Sequence, residues 1–490
     1  MIRTSLSVVL SVLLSTVYFF HPIECSNPIV PNVGMADPHI HYFNNMYYVY
    51  ATHDFAPNNT GFKMLDWWIW QSPDLVTWTK VSVVTPQETP APPNAYDECW
   101  ATDGAQSSID NSYYFYLSMG PGEIGVMQSL SSPFGPWNNT LGTPLINASL
   151  GPSLNPPTTS RDPCVFKDID GNHYIIFGVF EYYIAKLTPD LMHLAETPKY
   201  VVVNNPTGPY GNSTDDKPFL HTRLNPITNQ QLYYLSWGCF YGIATSVYGP
   251  YNYTGTVVNT DYIEPAFRMN QTNGPWYGWE DYADRHGSFW TVNNQWYYAC
   301  NDRSHSTDSK NPSVYRDTVI SYVNYYNNGS IAYVYINGTG VGEYNGQVRI
   351  EAEHYYQLEN GLSYHDEINN QFIVTNLTTQ TRIIYNHIRN IPNDSNQLRI
   401  RISNGRLDYQ EYNMTVSLVS HIDNDNMNTL IELCTIPLTH TKEWINFTDI
   451  VCNYNTITIP SDINLIFTFE RNSNDDEGSG IGSIDSFIFE

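Results

Sequence analysis

The sequence predicts an all-β protein, a five-bladed β-propeller followed by a β-sandwich. Short alternating segments rich in Tyr, Val, Ile and Trp are separated by Asn, Gly, Asp and Pro clusters, as in strands and turns. Five such segments recur at intervals of about sixty residues, which indicates structural repeats. The repeat stops near "VGEYNGQ", where a second domain is expected to begin.

The repeat unit is a polar lead, a turn, an aromatic strand and a second strand. The aromatic strands are "MYYVYATHD", "SYYFYLSMG", "HYIIFGVF", "LYYLSWGCF" and "WYYACND". A unit of roughly sixty residues suits one four-stranded propeller blade with generous loops. Each lead then forms the innermost strand of its blade, so polar residues of the leads should converge at one end of the central channel. The alternative is a β-sandwich with a coincidental repeat.

The composition favours a globular protein, and the charge is compatible with a neutral substrate without selecting one. The chain has 490 residues and a formal net charge of −26, with 48 acidic against 22 basic residues. This charge argues against nucleic acid and against an anionic membrane surface as partners.

The N-terminus has the pattern of a secretory signal peptide. Arg3 precedes the apolar run "SLSVVLSVLLSTVYFF" and a short polar exit, which predicts a signal peptide over residues 1–25 and a secreted protein. A membrane anchor is the alternative, and many Asn-x-Ser/Thr sites fit the secretory route. Cys434 and Cys452 lie close together in the sequence and are candidates for a disulfide. The four preceding cysteines are either paired or free and buried.

Three of the predicted innermost strands carry aspartates in their leads. These are Asp37 in "ADPHI", Asp162 in "RDPCVF" and Asp216 in "TDDKPFLH". An Asp before Pro is usually a turn former, but carboxylates repeated on inner strands should meet in space. Because burying several carboxylates together is costly, their recurrence predicts a functional site.

Several motifs together resemble glycoside hydrolase family 43. They are "ADPHI", "RDPCVFKDIDGNHYIIFG", "YYIAKL", "SSPFGPW", "RHGSF" and "YRDTVISYV", and the resemblance covers residues 27–345. It implies a five-bladed propeller over residues 26–345 that cleaves arabinose- or xylose-containing glycans with inversion. In that mechanism one carboxylate activates water, a second protonates the leaving oxygen and a third raises the pKa of the acid. No organic cofactor is implied.

The resemblance gives each aspartate a role. Asp37 matches the general base, and Asp162 matches the residue that tunes the acid. The family's acid is a Glu followed by Gly or Ala and then Pro, so aligning Pro218 places Asp216 at the acid's position. This is a departure, since Asp is one methylene shorter than Glu.

Two glutamates are alternative acids. Glu264 in "DYIEPAF" also precedes a proline in a polar loop, and Glu280 in "GWEDY" is the next candidate. The acid could also be absent, which would leave reduced activity. Strand alternation would place Asp215 on the opposite face from Asp216.

Four further side chains are expected at a sugar site. His286 in "RHGSF" matches a family histidine under the site that sometimes helps to hold an ion or water, with a core histidine as the alternative. Arg316 matches a family arginine beside the carboxylates, with a structural salt bridge as the alternative. Trp100 and Phe219 are candidate platforms for sugar stacking.

The C-terminal residues 349–490 read as a β-sandwich of short alternating strands. "IEAEHY", "IPLTHTKEWINFTDI" and "GIGSIDSFIFE" resemble family 6 carbohydrate-binding modules, which are jelly-roll sandwiches. The resemblance implies a structural calcium ion held by Glu351, Glu353 and Asp485, with solvated strand-end acids as the alternative.

The sequence therefore predicts a secreted, inverting glycoside hydrolase that acts on a polysaccharide or oligosaccharide. α-L-Arabinofuranosidase or β-xylosidase activity is expected. The competing hypothesis is a non-catalytic carbohydrate-binding protein on the same scaffold, and the altered acid position is its best support.

Overall fold

The structure is a computed structural model that describes most of the chain. The described residues are 27–56, 62–120, 122–147, 160–268, 285–304, 315–405, 412–419, 422–423, 426–427, 430–438, 440–454, 457, 459–471 and 480–490. The predicted signal peptide and Glu280 lie outside them. Within these ranges, no helix is long and apolar enough to cross a membrane.

The N-terminal part consists of five successive antiparallel sheets, here called sheets I to V. Sheet I contains β1 (Met35–Phe43), β2 (Met46–Asp54), β3 (Met64–Ser72) and β4 (Thr79–Val84). Sheet II contains β5 (Thr102–Gln106), β6 (Tyr113–Ser118) and β7 (Ile124–Ser129). Sheet III contains β8 (Cys164–Lys167), β9 (His173–Val179), β10 (Glu181–Lys186) and β11 (Lys199–Tyr200).

Sheets IV and V complete this part. Sheet IV contains β12 (Val203–Asn204), β13 (Phe219–Leu224), β14 (Gln231–Trp237), β15 (Phe240–Ala244) and β16 (Tyr251–Thr256), and β12 pairs with β16 in parallel. β17 (Val258–Ile263) precedes sheet V, which contains β18 (Gly287–Val292), β19 (Gln295–Asp302) and β20 (Asp317–Val323). β21 (Val334–Ile336) then pairs with β17 in parallel. Short 3₁₀ turns occur at Pro86–Glu88, Pro93–Glu98 and Pro265–Phe267.

The predicted leads form β1, β5, β8, β13 and β18, here called the first strands although the short β12 precedes β13 in sheet IV. Each predicted aromatic strand follows its lead along the chain and pairs with it. In sheet I the strands are joined by Asn44 and Asn45, and in sheet V by Asn293 and Asn294, all with positive φ. Two-residue turns of this kind match the twist of antiparallel strands, and asparagine tolerates the left-handed conformation. In these two sheets, the asparagine pair thus marks where the lead strand ends and the aromatic strand begins.

The first strands of the five sheets contact one another in order. β1 contacts β5, β5 contacts β8, β8 contacts β13, β13 contacts β18, and β18 contacts β1 again. Apolar clusters lie between neighbouring sheets, and one of them joins sheet I to sheet V through Val49, Tyr297 and Ile320. The polar residues at the beginning of these first strands, or directly before them, are therefore brought close to one another.

The C-terminal part consists of two facing sheets with a shared core. The first sheet contains β22 (Tyr344–Asn345), β24 (Gln357–Glu359), β27 (Arg382–Arg389), β29 (Tyr412–Val419), β32 (Leu430–Pro437) and β34 (Asp462–Arg471). The second contains β23 (Ile350–Glu351), β25 (Leu362–Asp366), β26 (Gln371–Thr375), β28 (Gln397–Ser403), β33 (Thr448–Asn453) and β35 (Ser483–Phe489). β30 (Ile422–Asp423) and β31 (Asn426–Met427) pair as a separate short hairpin.

Buried side chains from both C-terminal sheets, such as Tyr385, Phe467 and Phe487, pack into one cluster. The Cys434–Cys452 disulfide forms as predicted, and the buried thiols of Cys99, Cys164, Cys239 and Cys300 are not joined in disulfides. The second unit begins slightly earlier than expected, because β22 at Tyr344–Asn345 already pairs with β27.

Candidate active site

A pocket lies where the leads of several sheets meet. It is lined by residues that are far apart in the sequence: Asp37, Phe62, Trp100, Arg161, Asp162, Tyr210, Asp215, Asp216, His286 and Arg316. Asp37 lies on β1, whereas Asp162, Asp216 and His286 precede β8, β13 and β18. The structure thus brings the three predicted carboxylates into one pocket.

Three leads share an unusual backbone feature, a left-handed residue directly before a proline. These residues are Asp37 (φ 53°), Asp162 (φ 58°) and Lys217 (φ 47°). A positive φ is uncommon outside glycine, and a following proline favours extended conformations. The conformation is therefore strained, and it puts a charged side chain at the same position in sheets I, III and IV. Asp216 lies one residue before that position.

The Asp37 carboxylate is buried and fully engaged. Its Oδ1 lies 2.7 Å from Nε2 of His286 and accepts a 2.9 Å hydrogen bond from Arg316. Its Oδ2 accepts a 2.7 Å bond from the hydroxyl of Thr52. Burial acts to raise the pKa of Asp37, but the positive charge of Arg316 and the His286 contact outweigh it and hold the pKa well below its usual value. Asp37 is therefore ionised and can act as a base.

Arg316 connects Asp37 to a second buried acid, Asp54. Its Nε and one terminal nitrogen donate to the two oxygens of Asp54 at 2.8 and 2.9 Å, while the other terminal nitrogen binds Asp37. This bidentate pair fixes the plane of the guanidinium group. Asp54 is the last residue of β2. It orients Arg316, which in turn orients the base Asp37.

His286 lies between two carboxylates. Nε2 faces Asp37, and Nδ1 is 3.1 Å from Oδ1 of Asp216. The Asp216 side chain is 40% exposed, whereas that of Asp37 is 3% exposed. Burial acts to raise the pKa of Asp216, but His286 outweighs it and lowers the pKa below its usual value. The contact with His286 therefore favours the ionised form of Asp216.

Asp162 is the carboxyl that keeps its proton longest. Its Oδ2 accepts the backbone N–H of Lys217 at 3.1 Å, and its own N–H donates to Ser118. Burial raises the pKa of Asp162 to about 6, with Asp216 and Asp37 adding to the rise and Arg161 opposing it. Three acids that share a site thus differ in protonation, as acid–base chemistry requires.

Two predicted site residues do not lie at the pocket. Phe219 is 7% exposed in β13 and packs edge-on against His39 and beside Phe289, so it belongs to the interior between the sheets and is not a sugar platform. Glu264 accepts the backbone N–H of Gly338 at 2.9 Å and does not line the pocket. The alternative acid Glu264 is therefore wrong.

Trp100, His286 and Arg316 do line the pocket. The indole N–H of Trp100 donates to the carbonyl of Phe62 at 2.7 Å, and the Arg161 guanidinium lies 5.2 Å from its ring centre. The placement of Asp215 is a correction, because it also lines the pocket. β13 begins only at Phe219, so strand alternation does not apply to Asp215.

Several residues of the pocket were not anticipated from the sequence. They are Arg161, Tyr210 and Phe62 in the lining, with Asp54 and Lys217 behind it. Arg161 and Lys217 adjoin predicted aspartates, so their positions gave a usable signal. Tyr210 and Phe62 come from connecting loops, and their sequence surroundings carry no such signal.

The three C-terminal acids fit a cation only in part. Glu353 is buried, its Oε2 has no hydrogen-bond partner among the described residues, and burial raises its pKa well above the usual value. Asp485, in contrast, lies 2.6 Å from Arg349 and 3.2 Å from Arg401. Glu353 is thus suited to a cation, whereas Asp485 is already paired and Glu351 lies 3.9 Å from Arg349.

Comparison with known proteins decides the family. Residues 25–331 match the profile of "Glycosyl hydrolases family 43", which covers more than half of the chain. The chain belongs to this family. The family assignment places the pocket of Asp37, Asp162 and Asp216 in the part of the chain that carries the match.

Individual relatives are distant. The chain is 29% identical over 181 residues to the β-D-galactofuranosidase xynD of Aspergillus niger, covering 35% of this chain and 50% of that protein. It is 26% identical over 274 residues to a xylosidase/arabinosidase of Bacteroides ovatus, covering 47% and 80%. The chain thus spans half the length of the first relative.

The fold is similar to that of a solved family 43 enzyme along most of the chain. An arabinoxylan arabinofuranohydrolase from Bacillus subtilis, solved with cellotetraose, aligns with a TM-score of 0.51 and 18% identity. The alignment covers 94% of this chain and 97% of that one. Both units of the chain therefore have counterparts in one known architecture.

Proposed function

We propose that this chain is an inverting glycoside hydrolase that releases α-L-arabinofuranosyl or β-D-xylosyl residues from polysaccharides or oligosaccharides. One observation carries the proposal: Asp37, Asp162 and Asp216, from three separate leads, line one pocket with His286 and Arg316. Membership in family 43 and the names of the relatives support the substrate class.

Asp37 acts as the general base. It is ionised, and Arg316, His286 and Thr52 hold its carboxylate in one orientation. Inverting enzymes need the base and the acid roughly 6.5–9.5 Å apart, so that a water molecule fits between base and sugar. Asp216, at the other ring nitrogen of His286, is the acid candidate.

Below about pH 6, Asp162 holds a proton before substrate binds. A sugar that enters the pocket reaches the exposed Asp216 side chain and displaces water from it, which favours the neutral carboxylic acid. Asp162 then becomes the neighbouring charge that keeps the proton on Asp216. The two carboxyl groups thus share one proton between them.

The rest of the chain supports this site. We propose that sheets I to V are the five blades of a propeller, because their first strands contact one another in a closed order. The C-terminal unit is a carbohydrate-binding-module-like domain of the family 6 type, and Glu351 and Glu353 hold a structural calcium ion there. Residues 1–25 direct the chain to secretion.

The first test is hydrolysis of 4-nitrophenyl α-L-arabinofuranoside, β-D-xylopyranoside and β-D-galactofuranoside. We expect turnover of one of the first two and a loss of about 10²–10⁴-fold in kcat/KM for Asp37→Asn, as for removal of a general base. Asp97→Asn serves as a matched control, since Asp97 is a surface partner of Lys63 away from the pocket. Equal activity of Asp37→Asn and wild type would refute the assignment of the base.

A non-catalytic carbohydrate-binding protein is the second candidate. The lowered pKa of Asp216, together with its short side chain, is the observation that supports this candidate. It predicts binding of xylo- or arabino-oligosaccharides by calorimetry without turnover over days. Release of the α-anomer from a β-xyloside, followed by NMR, would exclude it and establish inversion.

A further inference from the structure

Lys217 occupies the position that carries a catalytic carboxylate in two other leads. Like Asp37 and Asp162, it is a left-handed residue directly before a proline. A glycine would adopt this backbone without strain, whereas lysine pays a steric cost. The side chain of Lys217 is also long and charged, yet the residue is only 1% exposed. A strained and buried lysine is stable only where neighbouring groups compensate for its charge.

The contacts of Lys217 reach all three predicted catalytic acids. Its ammonium group donates a 3.0 Å hydrogen bond to the backbone carbonyl of Asp37. Its backbone N–H donates to the carboxylate of Asp162 at 3.1 Å. Asp216 is the preceding residue, so one lysine joins the segments that carry base, acid and modulator.

The groups that face this ammonium come from three first strands and their leads. They are Asp37 and His39 of sheet I, Asp103 of sheet II, and Asp162 and Cys164 of sheet III. Burial lowers the pKa of Lys217, and the neighbouring acids oppose that change. On the far side of Asp37, His286 and Arg316 add positive charge at its carboxylate.

A nearby group has the composition of a metal site. His39, His41 and Asp103 place a nitrogen or oxygen atom each within 4.8 Å of one another. However, both imidazoles already lie at hydrogen-bond distance from one Asp103 oxygen, at 2.8 and 2.6 Å. The ammonium of Lys217 adds positive charge near Asp103.

We infer that Lys217 is a positioning residue that acts as a built-in cation behind the pocket. Its charge holds the Asp37 segment in the strained conformation that presents the base, and it balances the buried aspartates around it. The inference deepens the proposed reaction at the same site, but the charge-balancing role can be measured without any turnover.

The first test compares the unfolding temperatures of wild type and Lys217→Met between pH 4 and pH 8. Methionine has a similar length but no charge. We expect the variant to lose about 5 °C or more at pH 8 and less at pH 4, where Asp162 has taken up a proton and no longer needs a neighbouring cation. The sign follows from Asp162, because its folded pKa of about 6 leaves it charged at pH 8 and neutral at pH 4, whereas Asp37, with its lowered pKa, stays ionised at both. Lys167→Met, at an exposed lysine of β8, is the matched control and should lose little at any pH.

A loss of stability that is equal at all pH values would overturn the inference, because it would mean that Lys217 only fills space. Lys217→Arg provides a check on folding, since it keeps the charge and should retain the pH dependence of the wild type. This result stands whether or not the protein hydrolyses a glycoside.

The second test uses the pH profile of kcat/KM on whichever 4-nitrophenyl glycoside is cleaved. Without the ammonium group, the pKa of the base rises, so Lys217→Met should move the acidic limb upwards by about one pH unit. Lys217→Arg and Lys167→Met should leave the limb in place. An unchanged limb in Lys217→Met would refute the role in catalysis. An inactive wild type would refute the proposed function, while the unfolding data would still decide the inference.

Discussion

The N-terminal pocket and the C-terminal acidic group each contain three predicted functional carboxyl groups, but their surroundings differ. In the pocket, Arg316 and His286 hold the pKa of Asp37 well below its usual value, whereas burial raises the pKa of Asp162 to about 6. In the C-terminal group, arginines hold Asp485, whereas Glu353 has a buried oxygen with no hydrogen-bond partner among the described residues. In the pocket, cations next to one acid and burial of another thus separate their pKa values. In the C-terminal group, the buried oxygen of Glu353 instead favours a proton or a bound cation.

Among substitutions that test this difference between the two acidic groups, the largest loss of activity is expected at Asp216. Asp216→Asn should lower kcat/KM on natural glycan by about 10²–10⁴-fold, because the leaving oxygen then receives no proton. With a 4-nitrophenyl leaving group, which needs little protonation, the loss should be much smaller. Asp216→Glu, which restores the longer family side chain, should keep or raise activity.

Asp215 provides the matched control, since it lines the same pocket one residue away. Equal losses on both substrates for Asp216→Asn would contradict its role as the acid. A leaving-group effect in Asp215→Asn instead would move the acid by one residue.

Asp162 should show an effect on stability that depends on pH. Its folded pKa of about 6 exceeds the unfolded value, so the ionised carboxylate destabilises the folded protein above that pH. Asp162→Asn should therefore stabilise the protein at pH 8 by about 2–3 kcal/mol and have little effect below pH 4. Urea unfolding at both pH values measures this difference. Destabilisation by Asp162→Asn at pH 8 would show that the aspartate is held ionised instead.

The smallest expected effect concerns Glu353 in the C-terminal group. With a chelator at pH 7, Glu353→Gln should stabilise this unit by about 1–2 kcal/mol, because the buried carboxylate loses its charge. The pKa of Glu353 is raised by burial, so the gain should vanish at acidic pH. Excess calcium should raise the unfolding temperature of wild type but not of Glu353→Gln.

Glu359, a partly exposed acid that lies near Arg382, is the control for this last experiment. Its replacement by Gln should leave the calcium response unchanged. If calcium fails to shift the wild type, the C-terminal group is an acid pair without a cation.

The repeat made the fold and the core of the site predictable. Each aromatic segment became the second strand of a sheet, and the residues in the leads before the first strands therefore met. Asp37 and Asp162 could be found because the same Asp-Pro pair recurs in equivalent leads. The Cys434–Cys452 pair was predictable because short separation along the chain favours pairing.

What failed depended on contacts that the sequence does not encode locally. Phe219 was expected at the site, but its side chain is buried between the sheets, where it packs against His39 and Phe289. Lys217 stands before a proline as Asp37 does, but its role could not be predicted, because a lysine does not match the carboxylate pattern of the other two leads. Asp54 ends a predicted strand, but its partner Arg316 is 262 residues away in the sequence, so its role could not be predicted.

Residues from the last sheet also fasten it to the start of the chain. Arg316 binds Asp54, and the adjacent Asp317 accepts backbone N–H groups of Asn32, Val33 and Gly34. The side-chain amide of Asn27 pairs with the backbone of β20 at 2.8 and 2.9 Å. The contact between the first and last sheets and the orientation of the base thus depend on the same seam of residues. Gradual thermal opening of that seam would remove catalytic competence before the sheets themselves melt, so loss of turnover should precede loss of β-structure on heating.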